Sequence, residues 1–226
     1  MKVKTPEILY EDEAVIVCRK EAGVPVQTSK AGHGDMVSAL KSYRVRKKEE
    51  PYIGLIHRLD QPVEGVMVFA KTKAAAANLS AQVRDRLVEK QYLAVLDGIP
   101  CEKSGELKDY LLRDGGTNTS RVVPRETPGA KSASLSYEIL KTDNMRNCAL
   151  ARITLHTGRH HQIRVQFAHA GYPIYADTKY GKSPQEGGYC PVALCSCRIG
   201  FVHPVTKQEM FFEIQPKGKG FLLLGT

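Results

Sequence analysis

Apolar and polar residues alternate along most of this chain, and the alternation has the two-residue period of β-strands. Between residues 90 and 97, Tyr92, Ala94 and Leu96 fall on one face and Leu93 and Val95 on the other. Similar segments, each bounded by turn-forming residues, predict strands at residues 8–10, 14–19, 65–71, 107–112, 121–123, 133–140, 148–155, 194–202 and 210–214. Most of these are joined by short polar connections, which predicts hairpins and an antiparallel meander.

Helical periodicity is confined to three segments. One begins after Asp35, an acceptable N-cap, and a longer one runs from about residue 73 to 86 behind Thr72. The third is predicted from Gly158 to Gly171, with Ile163 and Phe167 facing inward. Hairpins with a few helices between them indicate the α+β class, with a mixed, mainly antiparallel central sheet and a few flanking helices.

Charge favours a polyanionic partner. The 226 residues include 33 Lys and Arg against 24 Asp and Glu, a formal net charge of +9. From Lys141 to Lys182 there are seven basic residues and two acidic ones, a local excess of +5. This segment is therefore the candidate RNA- or DNA-facing surface.

The chain starts without an apolar leader, and no later apolar run reaches the length of a membrane span, which predicts a cytoplasmic protein with no membrane partner. Six scattered cysteines without a Cys-x-x-Cys pair argue against a disulfide framework. Cys190, Cys195, Cys197 and nearby His203 suggest zinc, yet their spacing matches none of the usual structural sites. We expect no metal.

The most informative segment is Ile56 to Asp60, an apolar run that contains Arg58 and ends in a carboxylate. A turn follows, and the next strand begins at Gly65. We expect the run to be a buried strand and Asp60 to lie at its end facing a cleft, where a lone acid is a functional candidate. The alternative is an aspartate that caps the turn through its own backbone, which is the commoner role in an Asp-x-Pro segment.

A second informative segment, residues 155–167, is dense in hydrogen-bond donors. It combines a strand end, a glycine at position 158 and a predicted helix N-terminus, an arrangement suited to phosphate or to the sugar and base of a nucleotide. A solvated basic helix explains the same residues equally well. The histidines at 156, 160, 161 and 169 lack metal-ligand spacing.

Taken together, these segments resemble the RluA-like family of RNA pseudouridine synthases over most of the chain. The motifs that carry the resemblance are His57-Arg58-Leu59-Asp60 with Gly65 and Val68-Phe69-Ala70-Lys71, Lys90-Gln91-Tyr92-Leu93-Ala94-Val95, Thr157-Gly158-Arg159-His160-His161-Gln162-Ile163-Arg164, and Gly171-Tyr172-Pro173-Ile174 with Asp177 and Tyr180-Gly181. One departure is Val63-Glu64, where the family motif commonly has Thr-Ser.

The resemblance implies a pseudouridine synthase catalytic fold with a central RNA-binding cleft. We expect one catalytic domain over residues 1–226, with two subdomains around one sheet as an alternative description, and no separate S4 domain. It also implies conversion of specific uridines in structured RNA, either rRNA or tRNA, to pseudouridine by base flipping, without metal, nucleotide or other cofactor. No obligate protein partner is expected.

The resemblance further assigns roles to residues. Asp60 becomes the essential acid, which either attacks the ribose or removes its C2′ proton, and Arg164 is expected to pair with it. Tyr92 is expected to stack on the uracil and to take part in the final proton removal. Arg58 is the expected wedge that enters the vacated stack. The remaining expected RNA or pocket contacts are His57, Arg159, His161 and Gln162.

A non-catalytic RNA-binding or ribosome-assembly protein on the same fold is the rival interpretation. Such a protein has no use for Asp60, Tyr92 and Arg164 together, and all three are present. A methyltransferase requires a glycine-rich cofactor loop in a parallel α/β sheet, and the sequence has no such loop.

Overall fold

The structure is a computed structural model, and it describes residues 4–29, 34–181 and 190–225. Within those ranges the strands are β1 (Ile8–Glu11), β2 (Val15–Lys20), β3 (Gly54–Leu55), β4 (Glu64–Ala70), β5 (Glu89–Asp97), β6 (Ser104–Asp114), β7 (Thr119–Val123), β8 (Lys131–Asp143), β9 (Cys148–Leu155), β10 (Leu194–Val202) and β11 (Glu209–Glu213). The helices are α1 (Met36–Arg46), α2 (Lys73–Arg84), α3 (Gln162–His169) and a 3-10 helix (Lys219–Leu224). This content, with mainly antiparallel pairing, confirms the predicted α+β class.

The chain forms two compact units, and the first comprises residues 1–90 and 196–215. Its strands follow the order β1-β2-β4-β10, with β11 beside β10 and β3 beside β4. The predicted hairpins β1–β2 and β10–β11 are both present and antiparallel. Every residue of β2 and β4 is buried. These two strands are therefore the centre of this unit, which explains their nearly continuous apolar sequences.

The second unit comprises residues 91–195 and 216–226. Its strands form the antiparallel order β5-β9-β8-β6-β7. The predicted β8–β9 hairpin is present, but the predicted meander was wrong, because β8 pairs with β6 rather than with its sequence neighbour β7. Helix α3 packs beside β6 and β7, where Leu111, Ala133 and Val165 form a buried cluster. The 3-10 helix near the chain end, which the sequence analysis did not predict, buries Phe221 and Leu224.

Both predicted N-caps are present. The Asp35 carboxylate accepts a hydrogen bond from the Ser38 N–H at 2.7 Å, and the Thr72 hydroxyl accepts one from the Ala75 N–H at 3.1 Å. Helix α2 ends at Arg84, two residues earlier than expected, because Arg86 adopts a left-handed conformation with φ of 60°.

Two expected element boundaries were wrong. Helix α3 begins at Gln162 rather than at Gly158, because His161 has φ of 53°, which no α-helical residue adopts. The run Ile56–Asp60 is not a strand, since β3 ends at Leu55. The Val68 N–H of β4 donates to the His57 imidazole at 3.3 Å instead of to a backbone carbonyl, so a side chain replaces the next bond of the ladder.

No helix in the described ranges is long and apolar enough to cross a membrane. The division into two units does not test whether the chain is one catalytic domain, and that expectation stays a prediction.

Candidate active site

Asp60 stands at the start of a tight turn in the first unit. Its backbone carbonyl accepts a hydrogen bond from the Val63 N–H at 3.1 Å, which closes the turn. Leu59 is buried, Arg58 is exposed, and Asp60 itself is partly exposed. The backbone carbonyl of Asp60 therefore accounts for the closure of this turn.

Lys20 lies beneath this turn, and the sequence analysis missed it. Its side chain is fully buried, and its ammonium donates to the carbonyls of Glu21 at 3.1 Å, Gln61 at 3.0 Å and Val63 at 2.6 Å. Burial lowers the pKa of Lys20 to about 7, and the negative charges of Asp60 and Glu64 oppose this shift. No local sequence pattern marks this residue, because two of the carbonyls that it contacts lie 41 and 43 residues away.

His57 is inside the protein rather than at its surface, with 8% of its area exposed. Burial, with a smaller contribution from the charge of Lys90, lowers the pKa of the imidazole to about 3. The ring is therefore neutral at physiological pH, and Nε2 is free to accept the Val68 N–H. This bond fixes the segment that leads to Asp60 against β4.

The Val63-Glu64 departure has a structural explanation. The Glu64 side chain is buried, and its Oε2 lies 3.5 Å from Nη1 of Arg19, which is also buried. Arg19 further contacts Glu7 at 3.3 Å and donates to the Gln215 carbonyl at 3.0 Å. Glu64 therefore pairs with a buried arginine that this chain carries on the neighbouring strand.

The glycine after Glu64 is required by close packing. Gly65 has φ of 154°, and a Cβ built on it lies 2.7 Å from the backbone nitrogen of Ser196 in β10. Any larger residue forces β4 and β10 apart at this point. The glycine thus fixes where β4 starts, immediately after the turn of Asp60.

In the second unit, Tyr92 lies on β5 opposite Ile153 of β9 and is 6% exposed. It occupies the face predicted from the alternation of residues 90–97, on which Ala94 and Leu96 are also buried. The two neighbouring strand residues, Gln91 and Leu93, are partly exposed.

Arg164 and Asp177 form a buried, two-pronged ion pair in the same unit. Arg164 Nε and Nη2 each lie 2.7 Å from a carboxylate oxygen of Asp177, which is fully buried. Asp177 also accepts hydrogen bonds from the backbone N–H groups of Lys179 and Tyr180. The guanidinium lies 5.3 Å from the centre of the Tyr180 ring. The sequence analysis placed Asp177 in a motif but not as the partner of Arg164; the expected pairing of Arg164 with Asp60 stays a prediction.

Gln162 organises the loop before α3. Its Oε1 accepts from the Thr157 hydroxyl at 2.7 Å and from the Arg159 N–H at 3.0 Å, and its Nε2 donates to the Ser134 carbonyl at 3.0 Å. The side chain is 3% exposed. The Arg159 side chain is held as well, since its Nε donates to the Ser132 carbonyl at 2.9 Å.

His161 belongs to a second cluster next to this loop. Its ring stacks on that of His160 at 3.8 Å, and its Nδ1 lies 2.7 Å from the Tyr180 hydroxyl. That hydroxyl also accepts from the Ser120 N–H at 2.7 Å. His161 is 7% exposed, so this imidazole ties α3 to β7 and Tyr180.

Most cations of the basic segment 141–182 are engaged within the protein. The pairs are Lys141 with the Leu224 carbonyl, Arg146 with Asp143, Arg152 with Glu138, Arg164 with Asp177, and Lys179 with the Asn118 carbonyl. Lys182 lies outside the described residues. The carbonyl contacts of Lys141 and Lys179 leave their charges in place, and Arg146 and Arg152 are exposed. That this segment is the RNA-facing surface stays a prediction.

The four residues considered for zinc have other surroundings. His203 is buried, with Nε2 2.8 Å from Asp12 and Nδ1 accepting from the Thr206 N–H at 3.0 Å. Cys195 and Cys197 are buried in β10, and Cys190 is partly exposed. Within the described ranges, His, Cys, Asp and Glu side chains form no group arranged to hold a metal ion.

Comparison with known proteins places this geometry in a family. The family described as RNA pseudouridylate synthase matches residues 14–169, more than half of the chain. An uncharacterized RNA pseudouridine synthase of Aquifex aeolicus is 35% identical over 92% of this chain and 68% of its own length. The ribosomal large subunit pseudouridine synthase D of Zymomonas mobilis is 30% identical over 92% of this chain and 68% of its own. The chain thus spans about two thirds of the length of these relatives.

A solved structure of human RNA pseudouridylate synthase domain containing 4 superposes with a TM-score of 0.77 and 25% identity, covering 93% of this chain and 89% of that one. The family match at residues 14–169 includes Asp60, Tyr92 and Arg164. The chain therefore belongs to the RNA pseudouridine synthases, in their RluA-like family, and is an isomerase that acts on RNA.

Proposed function

We propose that this protein converts specific uridines of structured RNA, either rRNA or tRNA, to pseudouridine, with Asp60 as the essential acid. The observation that supports this most is the position of Asp60: a partly exposed acidic residue on a turn whose carbonyls are held by a buried lysine. An accessible acid on a rigid support is what a reaction at one ribose carbon requires. The name of the Zymomonas mobilis relative favours rRNA as the first substrate to test.

The reaction breaks the bond between N1 and C1′, turns the uracil, and joins C5 to C1′, with loss of the C5 proton. The ionised Asp60 acts either as a nucleophile on the ribose or as a base at C2′. A carboxylate cannot reach the reacting atoms of a uridine that is stacked within a helix. The nucleotide is therefore flipped out, at a cost of about a few kcal/mol.

Arg58 fits the role of wedge in this proposal. It is exposed, it follows the buried His57, and it stands two residues before Asp60. The Val68–His57 hydrogen bond and the buried Leu59 hold the backbone on both sides of it. A guanidinium supported in this way is able to stack in the place of the flipped base.

Arg164 and Tyr92 enter the proposal from the family resemblance. Arg164 is assigned the task of keeping Asp60 ionised, and Tyr92 is assigned stacking on the uracil and a part in removing the C5 proton. The Asp177 pair supports the assignment of Arg164, since it holds the guanidinium in one orientation.

The other expected contacts are divided by their surroundings. We assign His57, His161 and Gln162 to positioning, because each is buried and hydrogen-bonded to other parts of the protein. Arg159 is less buried and keeps its terminal guanidinium nitrogens for RNA, since the bond to Ser132 uses only Nε. Arg58 and Arg159 are therefore the proposed direct RNA contacts.

The test is incubation of the protein with RNA labelled with tritium at C5 of uridine, without added cofactor. Ribosomal RNA fragments and tRNA transcripts are assayed in parallel. We expect tritium release from at least one class, at positions that then map as pseudouridine. Binding of both classes without any release supports the rival, a non-catalytic RNA-binding protein, and contradicts the proposal.

A further inference from the structure

No step of the proposed reaction uses Tyr180, yet this side chain lies beside Arg164 in the second unit. The guanidinium carbon of Arg164 is 5.3 Å from the centre of the Tyr180 ring, a distance at which a cation and an aromatic ring attract each other. The ring also packs against the buried cluster of Leu111, Ala133 and Val165. Tyr180 therefore contacts both the guanidinium and the core of this unit.

The short turn from Asp177 to Gly181 joins Tyr180 to the anionic partner of Arg164. The Asp177 carboxylate accepts hydrogen bonds from the backbone N–H groups of Lys179 at 3.0 Å and Tyr180 at 3.3 Å. The Gly181 N–H donates to the Asp177 carbonyl at 2.8 Å, which closes the turn. The carboxylate that pairs with Arg164 therefore also holds the backbone of Tyr180.

The Tyr180 hydroxyl connects this turn to β7 and to the residue that precedes α3. It accepts a hydrogen bond from the Ser120 N–H of β7 at 2.7 Å and lies 2.7 Å from Nδ1 of His161. A backbone N–H only donates, so the single hydrogen of the phenol is left to donate to the imidazole. Ser120 and His161 are both buried, so water does not replace these contacts easily.

His161 carries this contact to the backbone of Arg164. Its carbonyl accepts an N–H of the first turn of α3 at 3.0 Å, and Arg164 is the third residue of that helix. Its ring stacks on that of His160 at 3.8 Å, and Nδ1 of His160 lies 2.9 Å from the Ser120 hydroxyl. Tyr180 therefore reaches Arg164 twice, at the guanidinium through its ring and at the backbone through its hydroxyl.

We propose that Tyr180 is a positioning residue for the reaction, which fixes the direction of the Arg164 guanidinium. Its hydroxyl, bound by β7 and His161, holds the ring in place. Asp177 restricts two guanidinium nitrogens, and the ring restricts the central carbon. This inference rests on the proposed function, in which Arg164 keeps Asp60 ionised.

The experiment compares wild-type protein with Tyr180→Phe, which keeps the ring and removes only the hydroxyl. Single-turnover rates of tritium release and the Kd for RNA are measured at a temperature at which circular dichroism shows both proteins to be folded. We expect the rate to fall by about ten-fold in the variant, because a less well held ring leaves Arg164 less well placed. The Kd stays within about two-fold, since the hydroxyl contacts lie within the protein. An unchanged rate overturns the inference.

A second readout reports on Arg164 without any reaction. Its Nε–H donates to Asp177 at 2.7 Å, and the proton–nitrogen NMR signal of this group is identified by its loss in Arg164→Lys. We expect this proton to exchange with water about ten-fold faster in Tyr180→Phe, because the guanidinium leaves the carboxylate more often. Equal exchange rates overturn the inference, and so does faster exchange beside an unchanged rate of tritium release.

Tyr137→Phe is the matched control. The centre of the Tyr137 ring lies 5.6 Å from that of Phe167 in α3, so this variant removes a hydroxyl from another tyrosine that contacts the same helix. We expect its rate of tritium release and its Arg164 signal to match those of wild type. An equal fall in both tyrosine variants means that any disturbance of α3 slows the reaction, which overturns a specific role of Tyr180.

Two variants of His161 test the same contact from its other partner, and they decide the question if Tyr180→Phe does not fold. His161→Asn keeps an acceptor close to the place of Nδ1, His161→Gly removes it, and both residue types tolerate the φ of 53°. We expect the loss of rate and of exchange protection to be clearly larger in His161→Gly than in His161→Asn. Equal losses in the two variants overturn the inference.

Failure of the proposed function is recognised separately, because it appears as absence of tritium release in the wild-type protein itself. A wild-type protein that turns over normally, beside a Tyr180→Phe rate and an Arg164 signal that coincide with its own, overturns only the inference.

Discussion

At the scale of single residues, the site depends on side chains that are buried as much as on those that are exposed. Asp60 and Arg58 are accessible, whereas Lys20 and His57 hold the backbone around them from inside. The residue type and position of Asp60 were visible in the sequence. The support by Lys20 was not, because a side chain that bonds to carbonyls 41 and 43 residues away leaves no local pattern.

The first prediction concerns the proton on Lys20. Its pKa of about 7 in the folded state is far below that of an unfolded lysine, so above pH 7 the unfolded chain binds the extra proton and stability rises with pH. Between pH 6.5 and 9 this proton uptake by the unfolded chain raises the free energy of unfolding by about 2 kcal/mol. Urea unfolding of wild type and Lys20→Met at both pH values measures it, and we expect the rise to be smaller in the variant by that amount. An equal rise in the free energy of unfolding in wild type and Lys20→Met would refute the assigned titration of Lys20.

The second prediction concerns the proposed role of Tyr92. Tyr92→Phe keeps the ring and loses the hydroxyl, so RNA binding is retained while release of the C5 proton slows by at least about ten-fold. Single-turnover tritium release is the measurement, and binding measured by filter retention is its control. A single-turnover rate equal to that of wild type contradicts a role for the hydroxyl.

At the scale of elements, charged networks fix the helices and loops around the strands. Lys71, the residue after β4, is 4% exposed and contacts Glu11 at 2.9 Å and Glu49 at 3.0 Å. Arg44 of α1 contacts Glu49 at 3.1 Å and donates to the Lys71 carbonyl at 2.9 Å. These contacts join helix α1 to the hairpin β1–β2, which contains Glu11, and to the end of β4, which Lys71 follows.

This network predicts a loss of stability in acid. Hydrogen bonds from its cations, Lys71 foremost, hold the pKa of Glu49 down to about 2. The contribution of Glu49 to the free energy of unfolding is therefore complete above about pH 4.5 and is lost as the pH falls through 2. At pH 7 we expect Glu49→Gln to cost about 1 kcal/mol in urea unfolding, discounted for partial exposure. The difference from wild type should shrink as the pH falls from 4.5 towards 2. A cost that does not change over this range rules out the ion pairs as its source.

The ion pair between Arg164 of α3 and Asp177, which follows this helix, leads to a fourth prediction. Asp177→Asn removes the two-pronged carboxylate contact of the buried Arg164 guanidinium, and we expect a loss of about 3 kcal/mol in the free energy of unfolding. Asp143→Asn removes an exposed pair with Arg146 and is the matched control, expected to cost less than about 1 kcal/mol. Equal costs for the two variants would mean that the Arg164 pair is no more important than a surface contact.

Secondary structure was predictable from the sequence where one period dominated. The hairpins β1–β2 and β8–β9 and the caps Asp35 and Thr72 all follow local rules, whereas the pairing of β8 with β6 past β7 does not. The errors arose where a side chain replaces a backbone bond, as His57 does after β3, or where a residue with positive φ ends regular structure, as His161 does before α3. Both depend on partners distant in sequence, which periodicity does not report.

At the scale of the whole molecule, family membership and the α+β class agree with the motifs that the sequence contains in order. That the basic segment 141–182 faces RNA stays a prediction, and most of its cations also have contacts within the protein. The Val63-Glu64 departure was not interpretable from the sequence, since the partner of Glu64 lies on β2, 45 positions earlier in the chain.

The most direct test of the central claim is single-turnover tritium release from C5-labelled RNA by wild type, Asp60→Asn and Asp85→Asn. Asp85 is an exposed acid at the end of α2 and is the matched control. The account predicts release by wild type and Asp85→Asn, no release above background by Asp60→Asn, and a similar Kd for RNA in all three. Substantial turnover by a purified Asp60→Asn protein would contradict it.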